Sequence, residues 1–298
     1  MTEQARRQKL AYVYGLATVL IWSTVASAFK IALKVLDPLQ LLLIADSVSV
    51  LTLLALLTAQ GKLGLLRTLT QRDLLRNCAL GALNPFLYYV ILFQAYALLP
   101  AQVAQPLNYT WAIALSLLSV PLLRQRLTAR DLLAIGVSYA GVVVLCTQGN
   151  LLGIDFGSPL GVGLALFSTI VWALYWIGNT RNVTDPVLAL LINFTAALPL
   201  ILATTLLFSE FPGLGAPVGA AGLLAACYVG VFEMGVSFAL WLQAMRLTAS
   251  TARIGNLIFL SPFLSLVLIH FILGETIHAT TYAGLVLILT GNLAQKRS

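Results

Sequence analysis

The sequence has 298 residues, 60% of them hydrophobic and only 9% charged, and its mean hydropathy is +0.95. Charged residues make up about a quarter of a water-soluble domain, so this chain lacks the polar surface of a soluble protein with a large core. The formal net charge of +7 does not point to nucleic acid, because the basic residues sit in short gaps between apolar runs and form no recognition stripe.

A helix needs roughly 20 mostly apolar residues to cross the hydrocarbon layer. The charged stretch 1–10 leads into an apolar run, 12–35, that is far longer than a signal-peptide core and ends in no small-residue cleavage site. It reads as a retained first spanning helix. The runs 38–58, 77–98, 101–123 and 131–148 follow, then 158–178, 187–208, 217–242, 250–273 and 279–294. Apolar residues at consecutive positions exclude a membrane barrel, whose strands alternate. The expected fold is all-α and polytopic, with ten transmembrane helices. Asp37-Pro38 and Asp185-Pro186 each predict a cap followed by proline in the first helical turn. Leu99-Pro100 and Phe211-Pro212-Gly213 predict tight joints. Cys78, Cys146 and Cys227 stand alone in apolar runs, so neither a metal site nor a disulfide framework is expected.

Charge placement supports this count. With the N-terminus in the cytoplasm, alternation puts Arg6, Arg7 and Lys9 inside, then Lys62 to Arg76, Arg124 to Arg130, Arg181, Arg246, and finally Lys296 and Arg297. The opposite loops hold Asp37, Asp155, Glu210 and the Glu275/His278 pair. This is the positive-inside pattern, with both termini cytoplasmic.

The chain also repeats itself. Trp22 corresponds to Trp172, Asp37-Pro38 to Asp185-Pro186, Phe93-Gln94-Ala95 to Leu242-Gln243-Ala244, and Gly141 to Gly291. The expected division is a first five-helix repeat, 1–149, and a second, 150–298. Five is odd, so the two repeats enter the membrane from opposite faces, an arrangement found in many secondary transporters.

Ile21-Trp22-Ser23-Thr24, the prolines of the fourth and ninth helices, and Leu273-Gly274-Glu275 resemble the drug/metabolite transporter superfamily, in its ten-helix EamA-type permeases. Leu107-Asn108-Tyr109-Thr110-Trp111 and Trp172-Ala173-Leu174-Tyr175 resemble segments of the YddG-like aromatic amino acid exporters in that superfamily. The resemblance implies export of small metabolites across the bacterial inner membrane, through a central cavity formed mainly by helices 1, 3, 4, 6, 8 and 9. One departure stands out: the second half's Gly-Glu is matched by Gln125-Arg126 in the first.

Polar groups inside hydrocarbon are costly and tend to mark pathways. Asn108, Tyr109 and Trp111 combine amide donors and acceptors with flat aromatic faces, which suits an amphipathic metabolite; the competing reading is interhelical packing. Trp172, Tyr175, Trp176 and Asn179 share one helical face, and line the cavity, the core or an interfacial belt. Glu233, placed like Asn84 in the other half, either pairs with a substrate ammonium, accepts a proton or bonds between helices. Asp46 is a second candidate for proton coupling. Lys30 either snorkels or clamps a carboxylate. Arg253, His270 and Glu275 are gating candidates near the membrane surfaces. No nucleotide-binding loop, catalytic triad or metal cluster is visible. The expectation is therefore a carrier of amino acids or similar metabolites, without cofactor, driven by a substrate gradient or a coupled proton. Sugar phosphates or nucleotide sugars are the alternative cargo, and a membrane enzyme or structural protein the alternative class. The sequence names no oligomeric partner.

Overall fold

The computed structural model describes residues 3–124, 128–146, 158–179, 182–209, 219–248, 254 and 257–295. Among these residues all regular structure is helical.

Helix α1 (Glu3–Ala32) turns into α2 (Pro38–Ala59) at Asp37. The Asp37 carboxylate accepts from the amides of Leu39 (2.8 Å) and Gln40 (3.0 Å), and the Asp37 amide donates to Gln40 Oε1 (3.2 Å). Pro38 occupies the first turn, where an N–H has no intrahelical partner to lose. Asp185 caps the later helix Pro186–Phe208 in the same manner, accepting from Val187 (3.1 Å) and Leu188 (3.4 Å). Both caps fall on the two Asp-Pro pairs of the sequence.

Helix α3 (Gln71–Gly81) passes through a π-helical segment, Ala82–Leu87, into α4 (Tyr88–Leu98). Pro85 lacks an amide and Asn84 leaves helical geometry (φ −145°, ψ 119°), so the regular hydrogen-bond ladder cannot continue there. Next come α5 (Ala101–Asn108), α6 (Trp111–Leu123), α7 (Ala129–Cys146), α8 (Pro159–Asn179) and α9 (Pro186–Phe208). Helix α10 (Ala220–Tyr228) again runs through a π segment, Val229–Val236, into α11 (Ser237–Leu247). Helix α12 (Ser261–Leu268) and α13 (Ala279–Gln295) complete the order.

Among the described residues, six helical runs are long and apolar enough to cross a membrane: Glu3–Ala32, Pro38–Ala59, Gln71–Leu98, Pro159–Asn179, Pro186–Phe208 and Ala220–Ala244. Leu132–Val144, Ser261–Leu273 and Ala279–Gly291 are apolar but shorter. The expected span 101–123 is divided at Tyr109–Thr110. Pro106 removes one backbone donor, and the Tyr109 and Thr110 amides bond three residues back, to the carbonyls of Pro106 (3.1 Å) and Leu107 (3.1 Å), so the regular ladder is interrupted between α5 and α6. The protein is thus an all-α, multi-pass membrane protein, while helix length alone supports fewer spans than the ten expected. Its outer surface fits a lipid solvent: Leu51, Leu133 and Phe271 are 66%, 73% and 78% exposed.

Helix α2 packs on α9, α1 on α11 and α12, α4 on α8, and α7 on α13. Glycines permit the closest approaches. A Cβ on Gly81 would lie 2.2 Å from the Asn193 carbonyl oxygen, and one on Gly230 would lie 2.4 Å from that of Ala45. Each glycine precedes a polar π-segment residue, Asn84 or Glu233, by three positions. Backbone contact at the glycine thereby fixes where that polar side chain starts. Gly141 does the same service between α7 and α13, facing the Gly284 carbonyl.

Candidate substrate chamber

The break between α5 and α6, the π segment before α11 and the middle of α8 surround one chamber with a volume of about 90 Å³. Trp172 of α8 forms part of its wall. Its ring is stacked on Tyr88 (centroids 4.7 Å, 33° between planes) and meets Trp176 (5.9 Å, 80°) and Phe238 (5.7 Å, 74°) edge-on. Trp22 of α1 packs on Trp241 (5.4 Å) and donates its indole N–H to Ser237 Oγ (2.9 Å). These offset contacts hold large aromatic planes in fixed orientations.

Asn108 ends α5. Its amide nitrogen donates to Ser168 Oγ (3.2 Å) and to the Tyr88 hydroxyl (3.3 Å). Tyr109 and Trp111 flank the helix break and line the same space. Farther along, the Tyr96 hydroxyl donates to Gln105 Oε1 (2.8 Å), and both side chains line the chamber. Glu233 is half-buried. Its Oε1 accepts from the Tyr89 hydroxyl (3.2 Å), while Oε2 has no hydrogen-bond partner.

Asn108, Tyr109, Trp111, Trp172 and Glu233 therefore converge, as the sequence leads one to expect. Tyr175 and Asn179 do not join them. They line a second chamber, with a volume of about 280 Å³, together with Asn182 and Thr184. Trp176 and Phe238 line both chambers and so form the partition. The helical face expected to line one cavity is divided between two, because α8 extends past the partition.

The second chamber is bordered by a network of amides. Asn182 donates to Asn77 Oδ1 (2.9 Å), and Asn77 donates to the Asp73 carbonyl (2.8 Å) and Thr184 Oγ1 (3.1 Å). Asn179 donates to the Tyr175 carbonyl (3.0 Å). Asn193, oriented to satisfy its surroundings, donates to the Ala189 carbonyl (2.9 Å) and the Asn77 carbonyl (2.8 Å). Sequence reasoning passed over Asn77, Asn182 and Asn193, and also the chamber residues Tyr88, Gln105 and Trp241. Tyr88 had a readable signal, one turn after Asn84, whereas the place of Trp241 beside Trp22 shows only in the fold.

The coupling and gating candidates lie elsewhere. Lys30 donates to the carbonyls of Tyr96 (2.9 Å) and Leu99 (3.0 Å), placing its charge on the negative end of α4. Glu275 accepts from the amides of Ala101 (3.0 Å) and Gln102 (3.2 Å), placing its charge on the positive end of α5. The two charges thus grip both sides of the Leu99-Pro100 joint. His270 Nδ1 lies 2.9 Å from the Glu275 carbonyl oxygen. Asp46 is fully buried, neither carboxylate oxygen has a hydrogen-bond partner, and it is not among the chamber's lining residues. Arg253 lies outside the described residues.

A multi-pass helical bundle with lipid-facing leucines and a chamber of aromatic and polar side chains is a membrane carrier by architecture. The comparisons agree. The sequence profile of the EamA-like transporter family matches residues 9–147 and residues 159–294. An uncharacterized transporter of Clostridium kluyveri is 24% identical over 299 residues, covering 96% of this chain and 92% of that protein. An uncharacterized transporter of Archaeoglobus fulgidus is 24% identical over 276 residues, covering 92% and 94%. A crystal structure of another protein, 22% identical, superposes with a TM-score of 0.68 over 96% of this chain and 98% of that one, which shows a shared fold. The chain belongs to the EamA-like transporter family, within the drug/metabolite transporters. It is a secondary transporter of small metabolites and not an enzyme.

Proposed function

We propose that this protein carries amino acids or similar amphipathic metabolites by alternating access, through ten spans arranged as inverted repeats 1–149 and 150–298. The observation that carries the substrate reading is the convergence of Asn108, Trp111, Trp172 and Glu233 on one chamber. Had those residues pointed separately into lipid or packed core, no common binding role would follow.

Several features support the inverted halves. One family profile matches the chain in two segments, one in each half. Gly81 with Asn84 and Gly230 with Glu233 occupy matching places at the two interrupted helices. The contact of α1 with α11 has its counterpart in the contact of α8 with α4. The Lys/Arg bias supports a cytoplasmic position for both termini. Phosphorylated sugars are disfavoured, because the described lining offers no lysine or arginine to receive a phosphate. Glu233 and Asp46 are the candidates for proton coupling, and Lys30, Glu275 and His270 for the gate. Arg253 keeps its place as a gating candidate from sequence.

The test is uptake into proteoliposomes of labelled aromatic, aliphatic and charged amino acids, with and without a proton gradient. Saturable uptake that falls about tenfold or more in Trp111→Ala supports the reading; the affinity arithmetic is about 1.4 kcal/mol per tenfold. Uptake no greater than in empty liposomes, across amino acids and a wider metabolite panel, overturns it.

A further inference from the structure

All five tryptophans of the sequence line the same chamber: Trp22, Trp111, Trp172, Trp176 and Trp241. They come from four helices, so no local sequence pattern accounts for their meeting. A single charged side chain, Glu233, joins them among the described lining residues. One of its oxygens takes the Tyr89 hydroxyl and the other has no partner. The nearest candidate for a carboxylate clamp, Lys30, is instead engaged by the carbonyls of Tyr96 and Leu99.

These facts have one electrostatic sense. The face of an indole is the negative end of its quadrupole, and tryptophan is the strongest aromatic partner for a cation. Glu233, favoured in its ionised form by an ammonium placed beside it, adds a full negative charge where charge interactions are weakly screened. A substrate ammonium meets attraction from both. Against the ionised form of Glu233 a substrate carboxylate is a like charge, and no described basic lining residue offsets it.

We propose that the chamber selects substrates by positive charge: it takes organic ammonium compounds with an apolar or aromatic body, and a free carboxylate on the substrate weakens binding. The inference rests on the transport reading above and deepens it by naming the substrate class. It places the discriminating interaction at the amine end of the cargo, with Glu233 as counter-ion and the indole faces as its surround.

Because every tryptophan lines the chamber, intrinsic fluorescence reports occupancy of this space. The full-length protein in detergent is titrated with four probes that share a phenyl body: phenethylammonium, 2-phenylethanol, phenylalanine and 3-phenylpropionate. Phenethylammonium is expected to quench with a Kd about tenfold or more below that of phenylalanine, and 3-phenylpropionate to bind most weakly. Glu233→Gln is expected to bring phenethylammonium to the affinity of 2-phenylethanol and to leave the alcohol within about twofold of its original value. Phenylalanine or 3-phenylpropionate binding as tightly as the amine overturns the inference, as does absence of saturable quenching by any probe, or an amine preference that survives Glu233→Gln. If that variant does not fold, the charge series on the unmodified protein decides. Saturable phenylalanine uptake in liposomes without amine preference defeats this inference and leaves the carrier reading standing. Charge-selective quenching without transport of any probe supports the site and defeats the carrier.

Discussion

The two chambers differ in size and in chemistry: the aromatic one has a volume of about 90 Å³ and the amide-bordered one about 280 Å³. The one walled by tryptophans leaves Glu233 Oε2 without a hydrogen-bond partner, and the indole nitrogen of Trp176, on the partition between the two, is likewise unpaired. The one beside Asn179 and Asn182 is bordered by amides that bond to one another and to the backbone. Volume therefore does not identify the binding site here. Unspent polar capacity does, because buried polar groups are nearly always paired and exceptions call for a reason. The amide chamber already uses its groups to join α3, α8 and the turn before α9. The aromatic chamber keeps some in reserve.

The contrast can be broken from either side. The largest expected effect is on stability, at the amide network. Asn77→Leu removes a side chain that donates to Asp73 and Thr184 and accepts from Asn182, and it leaves the Asn182 amide nitrogen with only its long bond to Asn179 Oδ1 (3.4 Å). The loss is expected to be about 2–3 kcal/mol, at the upper end for leaving buried partners unmade. Thermal unfolding in detergent measures it, and the substrate affinity of the folded fraction should be unchanged. A changed affinity with unaltered stability would exchange the roles assigned to the two chambers.

The next effect is smaller in energy and falls on transport. Trp172→Ala takes away the ring stacked on Tyr88 and facing Trp176 and Phe238. An affinity loss of about tenfold, or about 1.4 kcal/mol, is expected for the carried probe. Uptake kinetics in proteoliposomes check it; an unchanged KM would remove Trp172 from the site.

Asn108, Trp111 and Trp172 were legible as site candidates because a polar or amphipathic residue inside an apolar run has few uses. The caps at Asp37 and Asp185 were legible because Asp-Pro at a helix start leaves little choice of geometry. Asn77 and Asn182 were not. They lie near the edges of apolar runs, where asparagine is unremarkable, and only folding shows that α3 brings one against the other. The break at Tyr109–Thr110 was also hidden, since Pro106 alone does not tell a kink from an interruption; the Tyr109 and Thr110 amides, bonded three residues back, show it only in the fold. The division of Tyr175 and Asn179 from Trp172 depends on a partition contributed partly by Phe238 of α11, far away in sequence.

The smallest predicted effect separates the two ends of one helix pair. Helices α2 and α9 run antiparallel, so the cap of each meets the end of the other. At one end Ser209 donates to the Asp37 carboxylate. At the other Lys62 Nζ lies 2.9 Å from Asp185 Oδ2, with side chains 32% and 15% exposed. Burial acts to raise the Asp185 carboxyl's pKa, but the Lys62 ammonium and the amides of Val187 and Leu188 win and hold it below the usual carboxylate range. Its contribution to stability is therefore present above about pH 4, the ordinary aspartate value, and is lost as pH falls through the lowered pKa. Lys62→Met should cost about 0.5 kcal/mol at neutral pH, as for a partly exposed ion pair. That cost should shrink as pH falls through the lowered Asp185 pKa, and also in about 1 M salt, where the Debye length is about 3 Å. Ser209→Ala removes a hydroxyl donor with no ionic charge of its own, so its cost should respond much less to salt. Thermal unfolding of both variants in low and high salt tests the pair. Equal salt responses would show that the Lys62 contact works as a hydrogen bond alone, and that the charge difference between the two ends leaves the fastening of α2 to α9 unchanged.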